Sequence, residues 1–477
     1  KVPSENMPLP RQGELPPVTA VNSFGFGGTN AHIVLEEAPR ESSKEEGAGD
    51  VVDVDRPFLL PISANGDAAL RKMAESYRRF LSESSDSLSE ICFSAGHDRQ
   101  RMDDRLVVIG ENAAQMRNLL KSWMLNPGEA QGVISSKPSI KNTAPVFVFT
   151  GQGAQWWGMG QELLVREPVF RDMVVRIDQL LGSMTDWSLI EEMNRGEEDS
   201  RIDRTDIAQP AIFALQVALA ELWKSWGVYP AKVIGHSVGE VAAAYVAGIY
   251  TLEDAVTVIY HRSRLQNTTG GHGRMVAVGV SQQEAKKLIA GHEQAIEVAV
   301  VNSPGMVTLA GDTEVLEEVV SVIEKSGKFV RWLRIDYAFH THQMEPIKEE
   351  LIEGLAGIAP RSSSVPFYST VSAGLLDGKE LDGQYWWRNV RESVLFAPAI
   401  KRLATEGADL FLELGPHPAL LNPITECLGD VGKKGIILHS LKRKEGESET
   451  ILTNLALMHN EGVDVDWASL NQAQGHH

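Results

Sequence analysis

Residues 232–249, KVIGHSVGEVAAAYVAGI, place a glycine-flanked serine between a short apolar run and an alanine-rich run. The first run predicts a strand and the second a helix. Gly235-His236-Ser237-Val238-Gly239 matches the G-x-S-x-G pattern, in which a sharp strand-to-helix turn exposes a serine hydroxyl. Ser237 could instead be a simple helix N-cap. The strand, turn and helix context favours a nucleophile and an α/β fold.

The segments on either side of this turn alternate between strand and helix patterns. PVFVFTG ends at Gly151 like a buried strand, and AQPAIFALQVALAELWKSWG has the length and composition of a buried helix. Such alternation predicts a mostly parallel sheet. Residues 273–335 instead follow a β-α-β-β-α-β order, which predicts a small ferredoxin-like insert. We therefore expect one large subdomain over residues 142–272 and 336–443, which is hydrolase-like because its nucleophile lies in a strand-to-helix turn.

Four further regions flank this pair of subdomains. Residues 1–39 contain two apolar runs around a glycine turn, and residues 40–56 are acidic and non-periodic, as in a linker. Residues 57–141 carry short strand and helix patterns, which predict a small α/β domain. Residues 444–477 are charged and then helical.

Composition excludes several classes of protein. The 477 residues carry a formal net charge of −19, which disfavours binding to nucleic acid or to an anionic membrane surface. No apolar run approaches the roughly 20 residues that span a bilayer, and the first residues lack the apolar core of a signal peptide. Cys92 and Cys427 are isolated, without zinc-ligand spacing. We expect no metal site and a cytoplasmic location.

A serine nucleophile needs a base, and the 13 histidines leave that choice open. His236 adjoins the serine, whereas His340 and His342 lie where an apolar run gives way to a polar one. Arg262 occurs in an amphipathic pattern, where a surface arginine is the ordinary interpretation.

Seven motifs occur in a fixed order along the chain: FVFTGQGAQWWGMG, GHSVGE, YHRSRLQ, NSPGMVTLAG, YAFHTHQM, QYWWRNVRESVLFAPAI and FLELGPHPALL. Together they resemble the acyltransferase domain of type I modular polyketide synthases, relatives of malonyl-CoA:acyl-carrier-protein transacylase. The resemblance runs from about residue 144 to residue 443. Residues 21–39 resemble the C-terminal tail of a ketosynthase, residues 57–141 the ketosynthase-to-acyltransferase linker domain, and residues 462–470 the post-acyltransferase linker.

The resemblance implies a role for three side chains and two backbone groups. Ser237 matches the nucleophile and His340 the general base. Arg262 matches the arginine that pairs with the free carboxylate of a malonyl group. Gln152 and Val238 match the two backbone N–H donors of the oxyanion hole.

The same resemblance implies a substrate pocket that contains Gln209, Phe339 and Tyr337. Malonyl-selecting domains usually carry HAFH and methylmalonyl-selecting ones YASH, whereas this chain has the mixture Tyr337-Ala338-Phe339-His340. The ring of Phe339 leaves less room for a methyl branch than serine would, and Val238 also fits the malonyl type. Malonyl is therefore favoured, and Tyr337 leaves methylmalonyl or a larger extender unit open.

The implied reaction is ping-pong acyl transfer from coenzyme A to the phosphopantetheine thiol of an acyl carrier protein. Coenzyme A enters as a substrate thioester, so the chain is expected to bind no cofactor. Expected partners are the carrier protein, the ketosynthase and other domains of the parent synthase. The alternatives are a serine hydrolase of acyl thioesters and a non-catalytic docking scaffold.

Two further matches are set aside. His32 matches a catalytic histidine of ketosynthases, but no cysteine motif accompanies it, so no condensing activity is expected. Asp86-Ser87-Leu88 imitates a carrier-protein attachment site, yet it lacks the usual preceding glycine. A turn with a helix cap is the better interpretation of Ser87.

Overall fold

The computed structural model describes residues 16–37, 56–128, 130–271 and 273–472. The chain divides into two compact units, Lys1–Val51 and Val52–His477. In the first, β1 (Val18–Phe24) and β2 (Asn30–Glu36) form an antiparallel hairpin. A bond from Gly25 N to Thr29 O closes the turn. The strand, glycine turn and strand predicted there are confirmed.

The second unit begins with a small α/β domain, as the sequence predicts. Its three antiparallel strands lie in the order β3-β4-β5, and the central strand β4 is buried throughout. The elements, in chain order, are β3 (Phe58–Ala64), α1 (Asp67–Glu83), α2 (Leu88–His97), β4 (Asp104–Gly110), α3 (Ala113–Leu125) and β5 (Val133–Ser136). Ser87 caps α2 in a capping box with Glu90, so the interpretation as a helix cap is confirmed.

The large subdomain follows, and its first part holds the quoted turn. Its elements are β6 (Val146–Phe149), α4 (Gln161–Arg166), α5 (Pro168–Leu181), α6 (Leu189–Met193), α7 (Thr205–Ser225), β7 (Lys232–Gly235), α8 (Gly239–Val246) and α9 (Leu252–Asn267). Helix α7 is buried along almost its whole length, which explains why its sequence is apolar on every face.

The insert is a four-stranded antiparallel sheet with two helices. Its elements are β8 (Gly273–Val278), α10 (Gln282–Leu288), β9 (Ile296–Ser303), β10 (Met306–Asp312), α11 (Thr313–Lys325) and β11 (Val330–Trp332). The strand order β11-β8-β10-β9 confirms the predicted ferredoxin-like arrangement. Strand β11 has only three residues, and the bond from Leu333 N to Met275 O extends its pairing with β8 by one residue.

The large subdomain then resumes and completes its sheet. Its elements are a 3-10 turn (His342–Ile347), α12 (Lys348–Gly354), β12 (Phe367–Ser369), β13 (Gly374–Leu376), a second 3-10 turn (Gly378–Glu380), α13 (Gly383–Arg391), α14 (Phe396–Thr405), β14 (Leu410–Leu414), α15 (Leu421–Asp430) and β15 (Ile436–His439). The sheet order is β13-β12-β7-β6-β14-β15, parallel except for β12 against β13. The predicted mostly parallel sheet is confirmed.

The C-terminal segment ties the small α/β domain to the large subdomain. Helices α16 (Glu447–Glu461) and α17 (Trp467–Gln472) form it, and α16 packs on β4, β5 and α4. The Glu447 carboxylate accepts backbone N–H groups of Gly160 and Leu163, while Arg105 Nη1 donates to the His459 and Asn460 carbonyls. Among the described residues, no helix is both long and apolar enough to cross a membrane.

Candidate active site

Ser237 occupies a strained turn between β7 and α8. Its φ of +52° is left-handed, a conformation that costs a non-glycine residue free energy. A Cβ on Gly235 would lie 2.2 Å from the Glu240 backbone nitrogen, and one on Gly239 would lie 2.3 Å from the Phe149 carbonyl oxygen. Only glycine fits at both positions. The backbone therefore projects the Ser237 hydroxyl outward.

His340 lies against this hydroxyl. Its Nε2 is 2.8 Å from Ser237 Oγ, and its Nδ1 is 3.0 Å from the backbone carbonyl oxygen of Glu392. Burial, the largest cause, and the nearby charge of Arg262 together lower the pKa of His340 to about 3. The ring is neutral at physiological pH. Since Nδ1–H donates to the carbonyl, Nε2 is left free to accept the serine proton.

The tertiary structure decides among the three histidines that the sequence left open. His236 points away from the hydroxyl: its Nε2 lies 3.0 Å from Asn302 Oδ1, and its ring packs against Phe396. His342 lies beside Glu297, with 3.5 Å between Nδ1 and the carboxylate. Among these three, only His340 has a hydrogen bond with Ser237.

Arg262 is buried in the floor of the site, contrary to the surface position that its amphipathic pattern would suggest. Only 1% of the residue is exposed. Its Nη2 donates to Ser237 Oγ over 3.0 Å, and its Nη1 donates to the side-chain oxygens of Gln209 and Gln266 over 2.7 and 2.8 Å. Its Nε donates to Asn389 Oδ1 over 3.3 Å. Within the described part of the chain, no carboxylate touches this guanidinium.

The charge on Arg262 persists despite its burial. Desolvation lowers its pKa to about 9, and the Glu240 carboxylate acts in the opposite direction. A guanidinium has five N–H donors, of which the contacts above use four. The fifth belongs to Nη2, the nitrogen that already faces Ser237. The site thus presents a cation with a free donor next to the hydroxyl.

The loop after β6 lies next to the Ser237 turn at one edge of the sheet. Strands β6 and β7 are parallel neighbours, with Phe149 opposite Gly235, so the loops that follow them lie side by side. The side chain of Gln152 is held by Thr205 and Gln209, through bonds of 3.2 and 3.0 Å. The backbone N–H groups of Gln152 and Val238 donate to no acceptor among the residues described here. They are available to a ligand.

An aromatic pair directly precedes His340 in the chain. The rings of Tyr337 and Phe339 stack with centroids 5.0 Å apart, and the Tyr337 hydroxyl donates to Asn267 Oδ1 over 3.0 Å. Phe339 itself is buried. A cleft of about 460 Å³, lined in part by Arg204, Arg334 and Tyr337, opens beside this pair.

Sequence reasoning missed the second layer of polar groups. Glu240, Gln266 and Asn389 are buried around Arg262, and the Glu392 carbonyl orients His340. All four residues lie in motifs quoted above, GHSVGE, YHRSRLQ and QYWWRNVRESVLFAPAI. Their presence in motifs was a usable signal. Their contacts were not readable, because α8, α9 and α13 meet only in the folded chain.

Comparison with known proteins identifies the family of the chain. The sequence profile of the family described as acyl transferase domain matches residues 146–465. That of the ketoacyl-synthetase C-terminal extension matches residues 1–109. The chain is 37% identical over 459 residues to the erythronolide synthase EryA2 of Saccharopolyspora erythraea, which covers 96% of this chain and 13% of that protein. The chain spans 9 to 13% of the length of the first curated relatives it matches.

Solved structures give the same result. The acyltransferase domain from module 8 of the salinomycin polyketide synthase superposes with a TM-score of 0.82 at 35% identity, covering 87% of this chain and 98% of that one. The acyltransferase domain of SpnD, solved in complex with 2-(pent-4-yn-1-yl)malonyl, gives a TM-score of 0.74 at 26% identity, covering 88% and 98%.

Proposed function

Because the chain belongs to the acyltransferase domains of polyketide synthases, we propose that it transfers a malonyl group from coenzyme A to a carrier protein. The acceptor is the phosphopantetheine thiol of that acyl carrier protein. One observation carries the choice of a dicarboxylic acyl group. Arg262 is buried, charged and in contact with Ser237 Oγ, yet none of its hydrogen-bond partners is a carboxylate. A substrate carboxylate supplies the missing counter-charge.

In the first half-reaction, Ser237 Oγ attacks the thioester carbonyl while His340 Nε2 accepts its proton. The backbone N–H groups of Gln152 and Val238 stabilise the tetrahedral oxyanion, and losing one such donor costs about 2.7–4 kcal/mol in comparable sites. The intermediate collapses, the C–S bond breaks, and His340 returns the proton to the departing thiolate. A malonyl ester on Ser237 remains.

In the second half-reaction, the carrier thiol attacks that ester. His340 takes the thiol proton, and the oxyanion hole is used again. When the C–O bond breaks, the proton passes from His340 to Ser237 Oγ. The two half-reactions use the same groups, and in each of them His340 first accepts a proton and then donates it.

The substrate carboxylate binds the Nη2 edge of Arg262. Gln209 and Gln266 hold both hydrogens of Nη1, and Asn389 holds Nε, so Nη2 is the part of the fork left to the substrate. An anion there also offsets the charge of Arg262, which after burial is the next largest cause of the lowered pKa of His340. A dicarboxylic acyl group thereby makes the base stronger at the moment when it is used.

Phe339 selects the group on the α-carbon. Its stacking on Tyr337, which is itself anchored to Asn267, holds the ring against an incoming branch. The related SpnD domain was solved with a substituted malonyl group, so the fold can take a larger unit. One methyl group changes selectivity by about 1–3 kcal/mol. We propose malonyl as the preferred unit, with branched units as slower substrates.

The hydrolase alternative is disfavoured by the partner of His340. An α/β-hydrolase orients its histidine with an Asp or Glu carboxylate, whereas His340 Nδ1 faces a backbone carbonyl. The docking-scaffold alternative does not account for an assembled Ser237–His340 pair.

Intact-mass measurement after exposure to malonyl-, methylmalonyl- and acetyl-CoA tests the proposed function. We expect one malonyl adduct per chain, its transfer to an added carrier protein, and slow loss to water. Ser237→Ala should abolish the adduct, since removing a catalytic serine costs about 10⁶ in kcat in a comparable case. A malonyl adduct that survives this substitution, or that water removes as fast as carrier protein does, would refute the assignment.

A further inference from the structure

Glu240 is a fully buried carboxylate that the mechanism above leaves unused. It lies on α8, three residues after the nucleophile. One oxygen accepts the backbone N–H and the hydroxyl of Thr370, the latter over 2.7 Å. The other accepts the Tyr385 hydroxyl over 2.6 Å and the Asn389 amide over 2.9 Å. Each carboxylate oxygen therefore has two donors.

This arrangement fixes the direction of the Asn389 amide. A carboxylate only accepts hydrogen bonds, so the NH₂ of Asn389 must face Glu240. The same NH₂ donates to the Ser237 backbone carbonyl over 3.3 Å. The amide oxygen is then turned toward Arg262 and accepts from its Nε over 3.3 Å. Glu240 thus reaches the guanidinium through one intervening amide.

Because the Asn389 amide lies between them, Glu240 can offset the charge of Arg262 without occupying the donors of its guanidinium. A carboxylate in direct contact with Arg262 would take the donors that a substrate anion needs. Held one residue away, Glu240 offsets part of the buried positive charge while the Nη2 edge stays open. The Coulombic effect of Glu240 on Arg262, which raises the arginine pKa, agrees with this separation.

We propose that Glu240 is a positioning residue that, through Asn389, holds Arg262 with its Nη2 edge toward the acyl group and so sets selectivity for carboxylate-bearing acyl groups. This inference rests on the proposed function. It assigns to the last residue of GHSVGE a role in choosing the substrate. A purely structural role would instead support the turn and affect all acyl groups equally.

Glu240→Gln tests the assignment, because glutamine keeps the shape and loses two acceptor positions. If its oxygen faces Thr370, its NH₂ meets the NH₂ of Asn389. The asparagine must then turn over and present a donor to Arg262 Nε. If its oxygen faces Asn389 instead, the buried Thr370 N–H and hydroxyl lose their acceptor. The first outcome releases Arg262 and the second strains the turn.

The readout is the ratio of kcat/KM for malonyl-CoA to that for acetyl-CoA, measured as formation of the Ser237 adduct. We expect Glu240→Gln to lower this ratio at least about tenfold, the effect of losing one hydrogen bond to a charged group. The matched control is Glu413→Gln, which makes the same change at a buried carboxylate that accepts the backbone N–H groups of Ala419 and Leu420. It should lower stability and leave the ratio within about twofold.

Asn389→Asp gives a second readout if Glu240→Gln does not fold. An aspartate at this position places a carboxylate against Arg262 Nε, so the guanidinium gains a counter-charge of its own and attracts the substrate anion less strongly. KM for malonyl-CoA should then rise while KM for acetyl-CoA stays unchanged. Equal losses for both acyl groups in Glu240→Gln together with an unchanged malonyl KM in Asn389→Asp would overturn this inference alone. A wild-type chain without preference for malonyl over acetyl would instead overturn the proposed function, and this inference with it.

Discussion

Arg56 and Arg262 are both buried arginines, but only Arg56 has a carboxylate of its own. The Arg56 guanidinium donates to Glu167 over 2.9 Å, also donates to the Leu470 carbonyl, and lies over the ring of Trp226. The guanidinium of Arg262 contacts only neutral groups and the nucleophile. A buried arginine that is paired with a carboxylate of the protein stabilises the fold. A buried arginine without such a carboxylate can bind the carboxylate of a substrate.

The comparison predicts its largest effect on stability at Arg56. Arg56→Ala should lower the free energy of unfolding by about 3–5 kcal/mol, because it leaves Glu167 buried without its partner. Burial already raises the pKa of Glu167, so the unpaired carboxyl takes up a proton and does not ionise. Denaturant unfolding measures the loss. Arg166→Ala, which breaks the half-exposed pair with Glu162, should cost only about 0.3–0.5 kcal/mol.

Selectivity for malonyl over acetyl should remain intact in folded Arg56→Ala. If Arg56→Ala lowered the free energy of unfolding by less than about 1 kcal/mol, the Arg56–Glu167 pair would contribute no more than a surface salt bridge, and the contrast between Arg56 and Arg262 would be lost.

Arg262→Ala should act on the substrate instead. We expect kcat/KM for malonyl-CoA to fall about tenfold to hundredfold, which corresponds to losing a charged hydrogen bond of about 1.5–3 kcal/mol. Acetyl-CoA, which has no carboxylate, should be much less affected. Adduct formation followed by intact mass gives both values. Equal losses for the two thioesters would show that Arg262 acts on Ser237 alone.

Phe339→Ser sharpens the comparison by separating recognition of the side chain from that of the carboxylate. Removing the ring should shift selectivity from malonyl toward methylmalonyl by about 1 kcal/mol, or roughly fivefold, with the malonyl-to-acetyl ratio retained. Tyr337→Phe keeps the stacked ring and loses only the hydrogen bond to Asn267, so it should change selectivity less. Competition between the two acyl-CoAs measures the shift. An unchanged product ratio in Phe339→Ser would mean that another wall limits the α-carbon.

The smallest expected effect is the response of the wild type to pH. With a pKa of about 3, His340 stays neutral and competent as a base above that pH, so kcat/KM for acetyl-CoA should be flat from pH 8 to 5. Arg262→Ala removes a nearby cation, so the pKa of His340 should rise and the acid limb move to higher pH. Pre-steady-state acylation gives the profile. If the wild-type rate fell near pH 6.5, or if the acid limb of the pH profile were unchanged in Arg262→Ala, the proposed effect of Arg262 on the pKa of His340 would be wrong.

Folding must be monitored in the same series. His340 and His459 are buried, and the pKa of each is lowered to about 3. The unfolded chain therefore binds more protons than the folded chain below about pH 6.5, and stability declines as the pH falls. Tryptophan fluorescence at each pH separates this decline from a loss of catalysis.

The large features of the fold were predictable because they are local patterns. The G-x-S-x-G turn, the β-α-β-β-α-β order of residues 273–335 and the buried helix α7 each follow from periodicity and glycine placement. Boundaries were harder. The last strand in the order predicted for residues 273–335 covers only Val330–Trp332, and the residues after it lead to His340. Arg56 likewise ends an acidic, linker-like stretch and is nevertheless buried against Glu167.

The sequence by itself determined the nucleophile turn, the order of the subdomains and the family, because glycine sterics, hydrophobic periodicity and ordered motifs are properties of short segments. The ordered motifs implied His340 as the base, but only the tertiary structure showed its hydrogen bond to Ser237 and the burial of Arg262 without a carboxylate in contact. It also revealed that Asn389 accepts a hydrogen bond from Arg262 and donates one to Glu240. These are relations between helices and loops far apart in the chain. Their geometry is set by packing, which brings residues 103 positions apart, Ser237 and His340, to hydrogen-bond distance.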